Sequence, residues 1–167
     1  WNVDQAAPIS RLRGQTFGII GCGRIGSATA LRAKAFGFHV LFYDPYLPDG
    51  VEKALGIRRV DSLAELLRES FVVSVHCPLT DETRSMVGAD EIGTMQKGSF
   101  LVNTARGGIV DTEAVVNALG EGHLTGAGID VLEKEPPPQD SAVLAAWRDA
   151  GHPAHDRLIL NPHTAFY

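Results

Sequence analysis

Cysteine is scarce in this sequence, with only Cys22 and Cys77 in 167 residues. Two thiols exclude a disulfide scaffold and a four-thiolate metal site, and because both lie beside apolar runs they read as ordinary small buried residues. Basic residues are in the minority, 15 Lys and Arg against 20 Asp and Glu, and the formal net charge is -5. A chain so charged has no broad positive field, so neither nucleic acid nor a membrane surface is expected as a partner. No apolar run approaches the roughly 20 residues that span a bilayer. The opening residues, WNVDQAAPIS, lack the basic start and apolar stretch of a secretion signal. A cytoplasmic protein is the expectation. His152 and His155 form an H-x-x-H pair in a Gly/Pro-bearing loop, but no Cys or carboxylate cluster accompanies them, so they read as solvated and no metal is expected.

What is present is a regular alternation. At 44% hydrophobic residues the chain suits one compact domain with its own core. After a polar lead over residues 1–14, short runs rich in β-branched and aromatic residues alternate with amphipathic stretches, which is a βα repeat. Strands are predicted at 17–21, 40–43, 58–60, 71–75, 100–103, 126–129 and 158–160, several of them continuously apolar as doubly covered parallel strands should be. Helices are predicted at 24–36, 51–55, 63–69, 112–119 and 142–150. Ser62 with Glu65 reads as a capping box, Asp111 as an N-cap, and Gly37 and Gly120 as left-handed residues closing helices. The expected fold is α/β, a Rossmann doubly wound parallel sheet of about seven strands in a three-layer αβα sandwich. Its strand order should be 3-2-1-4-5-6 with the last strand added at the edge. Ligands of such a sheet bind beyond the carboxyl ends of the strands, near the switch point.

Gly21-Cys22-Gly23-Arg24-Ile25-Gly26 spells G-x-G-x-x-G. Alone it is weak evidence, but a strand precedes it and a helix follows, the context in which it cradles a dinucleotide pyrophosphate. Gly21 permits the tight turn, Gly23 the close approach of the phosphates, and Gly26 the packing of helix on strand. Asp44 ends the second strand at the spacing where an acid meets the adenosine ribose; a carboxylate there repels a 2′-phosphate, so NAD is expected rather than NADP.

Four polar clusters follow later strands: His76-Cys77-Pro78-Leu79-Thr80, Asn103 to Gly108, Asp130 to Glu135, and Asn161 to Thr164. All should project toward one crevice. Arg106, flanked by Ala105 and Gly107, has the fork to hold a carboxylate by two bonds. His163 is the candidate proton donor and acceptor at a carbonyl or alcohol. A carboxylate beside it would orient the ring, and spacing does not separate Glu135 from Glu133 for that place.

The combination GCGRIG, NTARGG, DVLEKEP and NPH resembles the NAD domain of the D-isomer-specific 2-hydroxyacid dehydrogenases over nearly the whole chain. Around AKAFGF and LFYDPY it is most similar to the C-terminal binding protein branch, which includes NADH-responsive corepressors. The resemblance implies hydride transfer between NAD and C2 of a small 2-hydroxy or 2-oxo acid, and pairing as a homodimer through this domain. It implies Arg106 as the substrate-binding arginine, His163 as the catalytic histidine and Glu135 as its paired acid. It also implies cofactor contacts from Arg24, Ile25, His76, Cys77, Pro78, Thr83, Thr104, Ala105, Arg106, Asp130 and His163, in addition to the glycines and Asp44. Phe166 stands where that branch usually has a Trp in the substrate pocket, and residues 142–157 are longer than the usual stretch. The family wraps a second, substrate-binding domain from flanking segments; residues 1–14 are therefore expected to be a linker from that domain and 15–167 the NAD-binding domain, inactive or nearly so alone.

Overall fold

A computed structural model describes residues 11–165. The seven predicted strands form one sheet: β1 (Thr16–Ile20), β2 (His39–Tyr43), β3 (Arg58–Arg59), β4 (Val72–Val75), β5 (Ser99–Asn103), β6 (Leu124–Ile129) and β7 (Leu158–Leu160). Every pairing is parallel and the order is β3-β2-β1-β4-β5-β6-β7, as the two βαβ halves require. The chain leaves β1 toward β2 on one side and returns to β4 on the other, so β1 is the switch point.

Among the described residues six α-helices cover the sheet: α1 (Arg24–Ala35), α2 (Val51–Leu55), α3 (Leu63–Glu69), α4 (Ala89–Thr94), α5 (Thr112–Gly120) and α6 (Ala142–Arg148). The larger core lies under α3, α4, α5 and α6 and joins residues such as Leu66, Leu101, Ile109, Leu119 and Ile129, all nearly excluded from solvent. A smaller core of Ile19, Cys22, Ala30, Ala33, Val40 and Phe42 seats α1 on β1 and β2. Strand β4 is buried at every position, which is why its sequence, VVSV, shows almost no polar alternation.

Some local expectations need correction. Helix α4 was not anticipated, because Ala-Asp-Glu-Ile-Gly-Thr is too short to show a helical period and carries a glycine inside. Asp111 caps α5 by accepting from the amides of Glu113 and Ala114 at 2.9 and 3.1 Å. The Ser62 box is only half formed: Ser62 Oγ accepts from the Glu65 amide at 3.2 Å, while the Glu65 carboxylate faces Arg58 at 3.8 Å. The left-handed residue after α5 is Gly122 (φ 70°), since Gly120 is still helical. His152 and His155 are not simply solvated. His152 Nδ1 accepts from the Ala154 amide at 3.1 Å and His155 Nδ1 lies 2.7 Å from the Trp147 carbonyl, so both organise the loop ahead of β7.

Candidate active site

The glycine turn joins β1 to α1 as expected, and its three glycines answer to different constraints. Gly21 has φ 85°, and a Cβ on it would stand 2.7 Å from the Cys77 amide nitrogen. A Cβ on Gly26 would meet the Gly21 carbonyl oxygen at 2.1 Å. A Cβ on Gly23 would meet nothing within 4 Å, so no protein packing demands glycine there. The space it leaves open lies at the N-terminus of the 12-residue α1, which has no side-chain cap and no acid in its first turn. Unmet amides and the helix dipole favour an anion at that point. The cradle therefore fits a pyrophosphate, with Arg24 and Ile25 exposed beside it. Gly23→Ala is expected to leave the melting temperature unchanged and to weaken NADH binding at least about tenfold, measured by fluorescence titration; tenfold corresponds to about 1.4 kcal/mol.

Beyond the turn, a cleft of about 680 Å³ opens between the loop after β2 and the segment after β4. Asp44, Pro45 and Tyr46 line one wall; Cys77, Pro78, Thr80 and Thr83 line the other. Asp44 Oδ2 accepts from the Cys22 amide at 2.9 Å and Oδ1 from the Tyr46 amide at 3.0 Å. This ties the acid to the glycine turn and leaves its remaining lone pairs for sugar hydroxyls. Three acids, Asp44, Asp81 and Glu82, line the cleft among the described residues, and no Lys or Arg does. That charge pattern disfavours a 2′-phosphate. Thr83 Oγ1 donates to the Pro78 carbonyl at 2.7 Å and accepts from the Thr80 amide at 2.8 Å, so it shapes the turn that forms the far wall. Tyr46 donates its hydroxyl to Glu82 across the mouth of the cleft.

His76 lies at the base of this wall, with Nε2 2.9 Å from Ser74 Oγ. Burial lowers its pKa to about 4. The ring is therefore neutral near pH 7. Between the ordinary value near 6.5 and about 4 the unfolded chain binds the proton that the folded one refuses, so stability rises with pH across that window and is lost on acidification. His76→Gln is expected to flatten the fall in melting temperature between pH 6.5 and 4, which in the parent reflects a loss on the order of 2–3 kcal/mol. Burial also pushes both Cys22 and Cys77 up to about 11, so neither is a thiolate at neutral pH.

At the other half of the crevice, three loops meet. Arg106 follows β5, Glu135 follows β6 and His163 follows β7. Asn103 is fully buried; its Oδ1 accepts from the Ala105 amide at 3.1 Å and its Nδ2 donates to the Arg106 carbonyl at 3.1 Å, fixing the turn through Thr104. The Arg106 side chain is exposed and bends back, donating to the Ala105 carbonyl at 2.6 Å. Gly107 lies directly on the β6 loop, where a Cβ would stand 1.9 Å from the Leu132 carbonyl carbon.

His163 Nδ1 lies 2.6 Å from Glu135 Oε2, while Glu135 Oε1 accepts from the Leu132 amide at 2.8 Å. It is Glu135, then, and not Glu133, that reaches the imidazole. Partial burial opposes ionisation of Glu135, but the His163 and Leu132 bonds outweigh it and hold its pKa below the ordinary carboxylate value. The stability this gives is complete above the ordinary value and is lost as pH falls through the lowered one. His163 has φ 54°, a left-handed conformation uncommon for a side-chain-bearing residue. Asp130 holds it there: the Asp130 carbonyl accepts from the His163 amide at 2.8 Å, and its carboxylate takes the amides of Thr164 and Ala165 at 3.0 and 2.9 Å. Asp130 is buried, so these bonds are well shielded from water.

The structure thus brings Glu135, Asp130 and His163 into one network and sets the Arg106 turn against it through Gly107. Gly21 to Gly26, Asp44, His76, Cys77, Pro78 and Thr83 belong to the other half of the crevice. Phe166 lies outside the described residues. The anchoring of the His163 turn by Asp130 and the Tyr46–Glu82 contact carry no local signal in the sequence; of these residues only the Asp in Gly-Ile-Asp-Val is singled out there, and by resemblance.

The family model "D-isomer specific 2-hydroxyacid dehydrogenase, NAD binding domain" matches residues 1–165. A glyoxylate reductase of Korarchaeum cryptofilum is 45% identical over 91% of this chain and 43% of its own length. The holo D-mandelate dehydrogenase of Rhodotorula graminis superposes with a TM-score of 0.82 at 35% identity, over 96% of this chain and 44% of that one. An NAD-dependent formate dehydrogenase of Staphylococcus aureus, solved in complex with NAD, gives 0.81 at 35% identity, over 98% and 46%. The chain spans under half the length of each. These relatives are named as reductases and dehydrogenases, and the corepressor reading finds no support in them. Among the described residues no helix is long and apolar enough to cross a membrane.

Proposed function

This chain belongs to the D-isomer specific 2-hydroxyacid dehydrogenase family as its NAD-binding domain, and from that premise we propose that it serves an oxidoreductase that interconverts a small 2-hydroxy acid and its 2-oxo acid. The observation that carries the reading is the pairing of His163 Nδ1 with Glu135 Oε2 at 2.6 Å beside the turn that bears Arg106. With Nδ1 engaged by the carboxylate, the other ring nitrogen, Nε2, is the one directed at substrate. It gives a proton to the carbonyl oxygen during reduction and takes one from the hydroxyl during oxidation. NAD, when bound, supplies the two-electron hydride chemistry. Arg106, released from the Ala105 carbonyl, holds the substrate carboxylate by two charge-assisted bonds and turns C2 toward His163. Asp130 keeps the His163 turn wound. The same acid, with Cys77, Pro78 and Thr104 to Arg106, is proposed to border the nicotinamide end, and Gly21 to Gly26 with Asp44 the adenosine diphosphate end.

A second, substrate-binding domain is part of this proposal, since relatives such as the glyoxylate reductase are more than twice as long as the matched segment. Residues 1–14 are proposed as its linker. That domain would exclude water and complete the acid pocket. Two relatives are named for glyoxylate, a 2-oxo acid, and mandelate, a 2-hydroxy acid, so the substrate proposed is that class rather than one member of it. A cytoplasmic location is supported by two unpaired cysteines. Pairing through this domain is supported by exposed Leu31 on α1 and Phe36 just after it. Turnover of a panel of 2-oxo acids with NADH by the protein carrying both domains tests the reading; NADH binding without turnover of any acid would overturn it.

A further inference from the structure

We infer that Arg59 is a positioning residue for the cofactor's adenosine end: it fixes the loop after β2 from behind and so sets where Asp44 meets the ribose. The inference rests on the reading that NAD adenosine occupies the cleft between Asp44 and Thr83. Residues 44–50 form neither strand nor helix, and Pro45 and Pro48 carry no amide hydrogen. Such a loop has few bonds of its own with which to hold a shape. Its inner anchor is the Asp44 carboxylate on the amides of Cys22 and Tyr46.

Its outer anchor is Arg59. Nη2 donates to the carbonyls of Asp44 and Leu47 at 2.9 and 3.0 Å, and Nη1 reaches Asp49 at 3.4 Å. The guanidinium carbon lies 5.9 Å from the centre of the buried Phe42 ring, the residue paired with Arg59 across the sheet. Planar stacking with fork donation is a fit that lysine does not reproduce. Strand β3 is only two residues long and buries neither of them. What this edge strand delivers is the guanidinium.

Direction matters as well as anchoring. Arg59 does not line the adenosine cleft; it lies on the opposite side of the loop, with Nη2 taken up by two carbonyls and Nη1 turned to Asp49. Its charge is thereby kept from a 2′-phosphate, and among the described residues no Lys or Arg lines the cleft to oppose Asp44 at the ribose.

Three ligands and two variants test this. Arg59→Met keeps the stem over Phe42 and removes the donors; it is expected to raise the dissociation constants of NADH and ADP-ribose about tenfold. Affinity for reduced nicotinamide mononucleotide, which has no adenosine, should stay within about twofold of the parent. Arg59→Lys should fall between. Hydrogen exchange without any ligand should speed up at the Tyr46 and Cys22 amides and stay unchanged at Leu101 in β5. Unaltered NADH binding with unaltered exchange in Arg59→Met would overturn the inference, as would a parallel loss of the mononucleotide. Loosened amides in Arg59→Met, together with a parent protein that fails to bind ADP-ribose, would instead overturn the adenosine reading on which it rests.

Discussion

His163→Ala is expected to lower kcat for 2-oxo acid reduction by about 10²- to 10⁴-fold in the protein carrying both domains, with NADH binding close to that of the parent. The range is that of a positioned general acid. Removing the imidazole leaves the alkoxide oxygen to take its proton from water, while the glycine cradle and Asp44 lie in the other half of the crevice and are untouched. Glu135→Gln should give a smaller loss. The amide still accepts from the Leu132 amide, but it no longer balances a charge on the ring 2.6 Å away. Pre-steady-state and steady-state rates with NADH, measured across pH, separate these effects. A His163→Ala protein that reduced its acid at the parental rate would remove the proton-donor role.

Gly107→Ala is expected to be the most destructive of the small substitutions. The added Cβ would stand 1.9 Å from the Leu132 carbonyl carbon, 2.2 Å from its oxygen and 2.3 Å from the Glu133 nitrogen. All three are backbone atoms, so no rotamer relieves the overlap; one loop must move away from the other. Overpacking costs of about 1–3 kcal/mol are usual when side chains can shift, and here the upper end or more applies. For a domain of this size that lowers the melting temperature by on the order of 10 °C. Function should suffer beyond stability, because the displaced loops carry Arg106 on one side and Glu135 on the other. Gly108→Ala is the natural comparison: its Cβ would meet Leu79 Cδ2 at 3.2 Å, the end of a flexible side chain, and should be tolerated. Gly93→Ala, with nothing within 4 Å and a helical backbone, should be neutral or stabilising. Thermal melts of the three variants would contradict this account if Gly107→Ala and Gly108→Ala fell together.

Legibility in the sequence followed the range of the forces concerned. Strands were plain where local composition and burial agree, as in Val72–Val75, whose four residues are all buried. Helix α4 was invisible because six residues with a glycine carry no period. The glycine turn and Asp44 were found because a nucleotide site on a strand-to-helix junction is built from neighbours in sequence. The choice between Glu133 and Glu135 could not be made from spacing, since two residues of loop reach the same place; resemblance made it, and the direction of the chain after β6 shows the contact.

By itself the sequence determined the repeat of strands and helices, hence the parallel sheet and its switch point, and it marked the residue types at the strand ends. These are consequences of periodicity, chain handedness and glycine sterics, all of which act over a few neighbouring positions. Only the tertiary structure decided how those types are used. It sets Glu135 on His163 across 28 positions, turns Asp130 into the clamp of the His163 loop, presses Gly107 onto Leu132, and aims Arg59 away from the cleft. Such contacts join loops far apart in the chain, and their geometry depends on where packed strands end, a property of the whole sheet.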